Sequence, residues 1–244
     1  MNQTQSYPRL VWYFATLALA CLIGSVYLLN WGYEESFLRL NALSSPFLDQ
    51  FMPHWTHMGE GAILSCALIL WLLSRDLALA ISVALGMISV MIIVAALKQG
   101  IFEDWHRPAG IFPMEQFRFL SLGHERHYSF PSGHSTAAAA LYGFLCFSIT
   151  AKRAWAGILW GLLSLSVAYT RIYIGVHFLA DVIAGLGLGC GIVALFLWFF
   201  YPFVERSIKP WRESRLKVLR IGMAIFAISL GIFAIWSLFD TYYL

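Results

Sequence analysis

Long apolar runs separated by short polar segments dominate the sequence. Seven of these runs predict membrane-spanning helices, at about residues 10–29, 56–73, 77–97, 135–150, 155–170, 177–201 and 221–239. A helix of about 20 apolar residues crosses the hydrocarbon core of a bilayer. The predicted fold class is therefore all-α, a polytopic transmembrane helix bundle formed by one domain over residues 1–244.

The polar segments between the runs differ in character. Residues 30–57 mix acidic, aromatic and apolar side chains, a pattern that predicts a helix lying at the membrane interface. Residues 99–130 form the longest polar stretch, and residues 202–220 form a basic segment. The cores of the seven runs are nearly free of charge, so the charged residues gather at the ends of the predicted spans.

The composition excludes a soluble globular protein. Of the 244 residues, 60% are hydrophobic and 12% are charged, whereas soluble domains carry about 25% charged residues. The net charge is only +3, and we expect membrane lipids as partners and no nucleic acid. Arg9 and the Ala20-Cys21 pair are also features of a cleaved lipoprotein signal, but the apolar run continues past Cys21, which favours an uncleaved first span.

The lysines and arginines predict the orientation. With the N-terminus in the cytoplasm, that side carries ten of them and the opposite side carries six. The ten are Arg9, Arg75, Lys152, Arg153, Arg206, Lys209, Arg212, Arg215, Lys217 and Arg220, and the six are Arg39, Lys98, Arg107, Arg118, Arg126 and Arg171. Because cytoplasmic loops carry the excess of basic residues, we expect a cytoplasmic N-terminus.

Four polar positions fall at one membrane face, whichever way the chain is inserted. Lys98 ends the third span, His134 begins the fourth, Arg171 ends the fifth and His177 begins the sixth. The residues just before His134 favour a helix start, where free N–H groups and the positive end of the helix dipole suit a phosphate. By itself, such a start is most often an ordinary helix cap.

The residue types at this face predict phosphoryl transfer. His177 and Asp181 are four residues apart on a helix, so a carboxylate can orient the imidazole and make it a nucleophile. His134 can protonate a leaving oxygen. Positive charge for a phosphate comes from Arg171, Arg107 and Lys98. Together they predict a phosphohistidine mechanism. The alternative is that His177 and Asp181 only cap the sixth span and anchor it at the interface.

Three motifs resemble those of the type 2 phosphatidic acid phosphatase (PAP2) superfamily of membrane lipid phosphatases. That family has Lys…Arg-Pro, then Pro-Ser-Gly-His, then Ser-Arg-x5-His-x3-Asp. Residues 131–134 match the second motif fully, and residues 171–181 match the third, with Thr170 in place of the serine. Eight residues separate Lys98 from Arg107, where the family usually has six, so the role of Lys98 depends on the path of that loop.

The resemblance covers residues 98–181 and implies a six-helix core with a metal-independent mechanism and no cofactor. It implies that His177 is the nucleophile, His134 the general acid and Asp181 the residue that orients His177. The phosphate would be held by Lys98, Arg107, Ser132, Gly133 and Arg171. The span at about 221–239 would be an addition to the usual core.

The function expected from the residues and the resemblance is hydrolysis of a lipid phosphate or diphosphate monoester at the periplasmic face of a bacterial inner membrane. Undecaprenyl pyrophosphate ranks first as the substrate. A lipid A phosphatase, a phosphatidylglycerophosphate or phosphatidic acid phosphatase and a lipid phosphotransferase remain alternatives, and the oligomeric state stays open. A lipid transporter is the non-enzymatic alternative, although transporters usually place their charges at mid-bilayer depth.

Overall fold

The structure is a computed structural model that describes residues 3–121, 126–149 and 153–243; Lys152, which enters the charge count above, lies outside them. Within the described residues the chain forms helices and no β-strand. The helices are α1 (Gln3–Trp31), α2 (Tyr33–Asn41), α3 (Pro46–Trp55), α4 (Gly61–Leu73), α5 (Leu77–Gly100), α6 (Pro108–Ile111), α7 (Gly133–Ser148), α8 (Ala156–Tyr173), α9 (Leu179–Leu195), α10 (Tyr201–Ile208) and α11 (Glu213–Tyr243). The all-α prediction is confirmed.

Each predicted span corresponds to a helix, but not every helix is long and apolar enough to cross a bilayer by itself. Among the described residues four helices are, namely Tyr7–Trp31, Leu77–Gly100, Leu179–Ile208 and Glu213–Ser237. A fifth is added if Pro46–Gly59 and Gly61–Leu73, bent by 51°, form one span. The helices of the other two predicted spans, α7 and α8, do not meet this test, so the number of seven spans stays a prediction.

Two boundaries differ from the prediction. The second span was expected to begin at Thr56, whereas α4 begins at Gly61 because Glu60 has an extended backbone. The residues before Glu60 form a 3-10 turn (Thr56–Gly59) that packs beside α8. The sixth span was expected to end near Tyr201, but α9 continues through a π-turn (Phe196–Phe200) and α10 as far as Ile208.

The interface segment folds as two helices rather than one. α2 and α3 are separated by residues 42–45, and Ser45 starts α3 by accepting a hydrogen bond from the Leu48 N–H at 3.2 Å. Phe37 of α2 is fully buried, with its ring 5.1 Å from that of Phe178. This segment therefore packs onto the helical bundle and brings α2 to the beginning of α9.

The centre of the bundle is α7, which packs against α1, α5, α8 and α9. Its alanines at 138–140 are fully buried, and small residues of α9 let the two backbones approach closely. A Cβ atom on Gly185 would lie 2.6 Å from the Ser132 carbonyl oxygen, and one on Gly189 would lie 2.5 Å from that of Thr136. Only glycine fits at these two contacts, which hold the beginning of α7 against the middle of α9.

Candidate active site

Backbone hydrogen bonds join the three motif segments at one end of the bundle. The loop after α5 pairs with the loop before α7, since the Arg107 N–H donates to the Arg126 carbonyl at 2.8 Å and the Ser129 N–H donates to the Trp105 carbonyl at 2.9 Å. The Ser132 N–H donates to the Asp181 carbonyl of α9 at 3.0 Å. The single membrane face expected from the sequence is therefore one cluster in space.

His177 and Asp181 form a buried pair at the start of α9. The imidazole Nδ1 lies 3.2 Å from Asp181 Oδ2, and the two side chains are 2% and 0% exposed. A carboxylate at Nδ1 fixes the tautomer with the proton on that nitrogen. The other nitrogen, Nε2, is left with its lone pair, which is the form that a nucleophile needs.

Three further donors hold the Asp181 carboxylate. The Ser129 hydroxyl donates to Oδ2 at 2.5 Å, the Phe178 N–H donates to Oδ2 at 3.0 Å, and the Tyr33 hydroxyl donates to Oδ1 at 3.1 Å. A carboxylate buried among donors is stabilised in its charged form by those hydrogen bonds. The ring of Tyr33 also stacks on that of Phe178, with centroids 4.3 Å apart.

The turn between α8 and α9 places Arg171 next to His177. The Arg171 carbonyl accepts from the N–H groups of Val176 and His177, both at 3.1 Å. Gly175 has φ +83° in this turn, and a Cβ there would lie 2.4 Å from the Arg118 carbonyl oxygen. The turn therefore requires glycine at this position.

The guanidinium of Arg171 is buried and held by the 3-10 turn before α4. Its NH1 donates to the Thr56 hydroxyl at 2.6 Å, and the Thr170 hydroxyl lies 2.9 Å from that same oxygen. Thr170 replaces the usual serine of the third motif and keeps the hydroxyl group that makes this contact. Thr56 thus orients Arg171 from a different part of the chain.

Lys98 and Arg107 lie beside the loop before α7. Lys98 Nζ donates to the Tyr128 carbonyl at 2.8 Å, and Arg107 Nε donates to the His127 carbonyl at 3.1 Å. Tyr128 has φ +58°, a left-handed conformation that residues other than glycine rarely adopt. Both cations line one cavity together with Gly133, so the eight-residue spacing still brings Lys98 to Arg107.

The N-terminus of α7 also belongs to the cluster. Ser132 caps the helix, because its Oγ accepts from the Ser135 N–H at 3.4 Å and lies 2.9 Å from the Ser135 hydroxyl. The first turn of a helix has N–H groups without intrahelical partners, which here are those of Gly133 and His134. His134 packs against Gly59, where a Cβ would lie 3.5 Å from the His134 Cδ2 atom.

The electrostatics keep His177 neutral. Burial lowers the pKa of His177 well below its ordinary value, and the charges of Arg107, Lys98 and Arg171 lower it further. The three cations predicted to surround a phosphate therefore all act on His177. Burial and the nearby Asp181 carboxylate raise the pKa of Tyr33, so that hydroxyl remains a donor.

Three members of the cluster, Tyr33, Ser129 and Thr56, are not predicted by the sequence motifs. Ser129 lies two residues before the Pro-Ser-Gly-His motif, which was the one available signal. Tyr33 and Thr56 are far from the motifs along the chain and come from segments assigned to other roles. Among the described residues no group of three or more His, Cys, Asp or Glu side chains is arranged to hold a metal ion.

Comparisons with known proteins point in the same direction. The sequence profile of the PAP2 superfamily matches residues 79–209, just over half of the chain. Phosphatidylglycerophosphatase B of Bacillus subtilis is 25% identical over 182 residues, which cover 70% of this chain and 82% of that protein. The putative undecaprenyl-diphosphatase YbjG of Escherichia coli is 31% identical over 133 residues, 52% of this chain and 60% of that one. The crystal structure of Aquifex aeolicus LpxE superposes with a TM-score of 0.59 and 27% identity, covering 68% of this chain and 95% of LpxE.

Proposed function

The chain belongs to the PAP2 superfamily and is an integral membrane lipid phosphatase, and we propose that it removes a terminal phosphate from a lipid through a phosphohistidine on His177. The observation that carries this mechanism is the pairing of His177 Nδ1 with Asp181 Oδ2 at 3.2 Å, which leaves Nε2 to attack phosphorus. In the first step, Nε2 bonds to phosphorus while the bond from phosphorus to the lipid oxygen breaks. His134 gives its proton to that oxygen.

The second step returns the enzyme to its starting state. Water attacks the phosphohistidine, its proton passes to His134, and the bond from phosphorus to Nε2 breaks to release inorganic phosphate. Asp181 holds the proton on Nδ1 and stabilises the positive imidazole throughout. No step requires a metal ion, because the charge on the phosphate is balanced by Lys98, Arg107 and Arg171.

The phosphate-binding set is part of the proposal. Lys98, Arg107 and Arg171 would contact the non-bridging oxygens, with the N–H groups at the start of α7 on a further side. Ser132 was assigned to the same set with Gly133. Its hydroxyl caps α7 in the free protein, so its contribution is to shape the helix start from which Gly133 acts.

We propose lipids with a terminal phosphate or diphosphate as substrates, with undecaprenyl pyrophosphate first, a lipid A phosphate second, and phosphatidylglycerophosphate or phosphatidic acid third. The likeness to a putative undecaprenyl-diphosphatase supports the first choice, since the release of that carrier needs only phosphate recognition. A phosphotransferase would use the same phosphohistidine and pass the phosphate to a second lipid instead of water.

The orientation belongs to the proposal as well. The ends of α5 and α8 and the beginnings of α7 and α9 meet at the site, and the basic segment 202–220 lies at the opposite end of the preceding span. With that segment in the cytoplasm, the site opens to the periplasmic face of the inner membrane. The whole chain, residues 1–244, forms one domain in this scheme.

The deciding experiment measures phosphate release by the purified protein in detergent. The panel contains a lipid diphosphate, lipid monophosphates and a water-soluble phosphate ester under identical conditions. We expect turnover of the lipids to exceed that of the soluble ester. Preference for the soluble ester would contradict the interfacial lipid substrate, and preference for a monophosphate would change only the ranking. Phosphate recovered on a second lipid rather than in solution would identify a phosphotransferase.

A further inference from the structure

A long apolar groove leads away from the proposed phosphate site. Its volume is about 890 Å³, and it runs between α4, α5, α7 and α11. On α5 the lining extends from Ala84 to Gln99, a distance of about 22 Å along the helix. The hydrocarbon core of a bilayer is about 30 Å thick, so the groove follows most of that depth.

The polar groups of the groove are concentrated at one end. Lys98, Arg107 and Gly133 lie there, which makes this end continuous with the proposed phosphate site. Away from that end the lining is almost entirely apolar, with Val90 and Val94 buried. Met91, which is 66% exposed, marks the side on which the groove opens laterally. A lipid can therefore approach from the bilayer without leaving it.

One wall of this groove comes from α11, the helix that the resemblance to known phosphatases left without a role. Ala227 and Gly231 are small and one turn apart, and α11 packs against α4 there: a Cβ on Gly231 would lie 3.7 Å from the Cβ of Cys66. On this helix, Phe226 and Leu230 line the groove. The helix lies outside residues 79–209, which match the PAP2 profile.

We infer that α11 forms a binding wall for the hydrocarbon chain of the substrate, and that Phe226 and Leu230 select among chains by their shape. The inference rests on the proposed function, because the chain is placed by a phosphate held at Lys98 and Arg107. Lipid tails are as apolar as the groove, so its lining gains little hydrophobic free energy over the bilayer. Selection must come from the space that the two side chains leave beside α5.

Replacing Leu230 by tryptophan tests this inference by filling the groove. The matched control is Ile228→Trp, since Ile228 is about 200° around the helix from both Phe226 and Leu230 and is 49% exposed. Each variant is assayed with two substrates that share one headgroup, a long-chain lipid phosphate and its six-carbon analogue. The readout is the ratio of kcat/KM for the long chain to kcat/KM for the short chain, which is independent of the fraction of folded enzyme.

We expect this ratio to fall about tenfold or more in Leu230→Trp, as overpacking of an apolar site does, and to change less than about twofold in Ile228→Trp. If Leu230→Trp does not fold, Leu230→Phe gives the same test with an expected decrease of about threefold. An equal ratio in the Leu230 and Ile228 variants would overturn the role of α11 and leave the phosphatase proposal intact. A wild-type protein that releases phosphate from neither substrate would instead refute the proposed function itself.

Discussion

Replacement of Tyr33 by phenylalanine removes one hydroxyl from the hydrogen bonds around Asp181 and little else. The remaining ring keeps its stacking on Phe178, with centroids 4.3 Å apart, and its edge contact with Trp105 at 6.0 Å. The Ser129 hydroxyl and the Phe178 N–H continue to donate to the carboxylate. The variant therefore isolates the one donor that α2 supplies to the proposed active site.

The size of the effect follows from that hydrogen bond. Bonds to charged groups contribute about 1.5–3 kcal/mol, and the Tyr33 contact of 3.1 Å is long for a hydroxyl donor, which favours about 1.5 kcal/mol. Without this donor, the Asp181 carboxylate has fewer hydrogen bonds and gains more from a positive charge on His177 than it does in the wild type. We therefore expect the pKa of His177 to rise. Only the part of this free energy that differs between neutral and protonated His177 changes the pKa, so about 1.5 kcal/mol is its upper limit.

The dependence of kcat/KM on pH measures this change. His177 attacks in its neutral form, and protonation removes the nucleophile. Because the pKa of His177 is lowered, the wild-type rate should stay high at pH values below the ordinary pKa of histidine. In Tyr33→Phe we expect this acid limb to move to higher pH, while the rate on the plateau changes less.

The control is Tyr169→Phe. This substitution removes a hydroxyl that donates to the Leu40 carbonyl at 3.2 Å and makes no contact with Asp181. This variant should keep the wild-type acid limb even if it loses some stability. If both variants have the same acid limb, Tyr33 is only a packing residue and the reasoning is refuted.

Three further predictions address the mechanism and the orientation. His177→Ala should lower activity by several orders of magnitude, and Asp181→Asn should fold but lose roughly 10⁴-fold in rate. Wild-type activity should be unaffected by excess EDTA; loss of activity with the chelator and its recovery with a divalent ion would contradict the phosphohistidine. Arg107→Lys and Lys98→Ala should each lower kcat/KM about 10- to 100-fold, because the first loses a planar bidentate donor and the second loses a cation at the phosphate. Wild-type turnover in Lys98→Ala would remove Lys98 from the site. A cysteine at Gln116, on a cysteine-free background, should react with an impermeant reagent in intact cells, and labelling only after permeabilisation would reverse the orientation.

The helices and their order could be predicted from the sequence because hydropathy acts locally. The apolar runs identify the seven principal helices, and alternation along the chain is enough to bring Lys98, His134, Arg171 and His177 to one end. The bend at Glu60 could not be predicted in this way. It depends on a 3-10 turn that is held by contacts with α8, and those contacts are distant in sequence.

The supporting side chains of the site were not predictable for a related reason. Tyr33 is 148 residues away from the carboxylate that it contacts, and no spacing rule joins them. The amphipathic pattern of residues 30–57 suits a helix at the membrane interface and a helix packed on the bundle equally well. The burial of Phe37 decides between the two, and burial becomes visible only when the helices are assembled.

The position of Lys98 illustrates the same limit. Counting residues between Lys98 and Arg107 suggests that the two cations are out of register with the usual motif. The loop absorbs the extra residues, and Tyr128 in its left-handed conformation turns a carbonyl to meet Lys98 Nζ at 2.8 Å. A backbone conformation of this kind is set by tertiary contacts rather than by local propensity.

The contact of α7 with α9 through Gly185 and Gly189 also has a consequence for motion. Where carbonyl oxygens meet glycine Cα atoms, neither helix can slide or roll without a steric clash. The proposed acid and nucleophile are each anchored to one of these helices, so we expect them to move as a single rigid body. In hydrogen exchange, the amides of α7 and α9 should therefore open together and last.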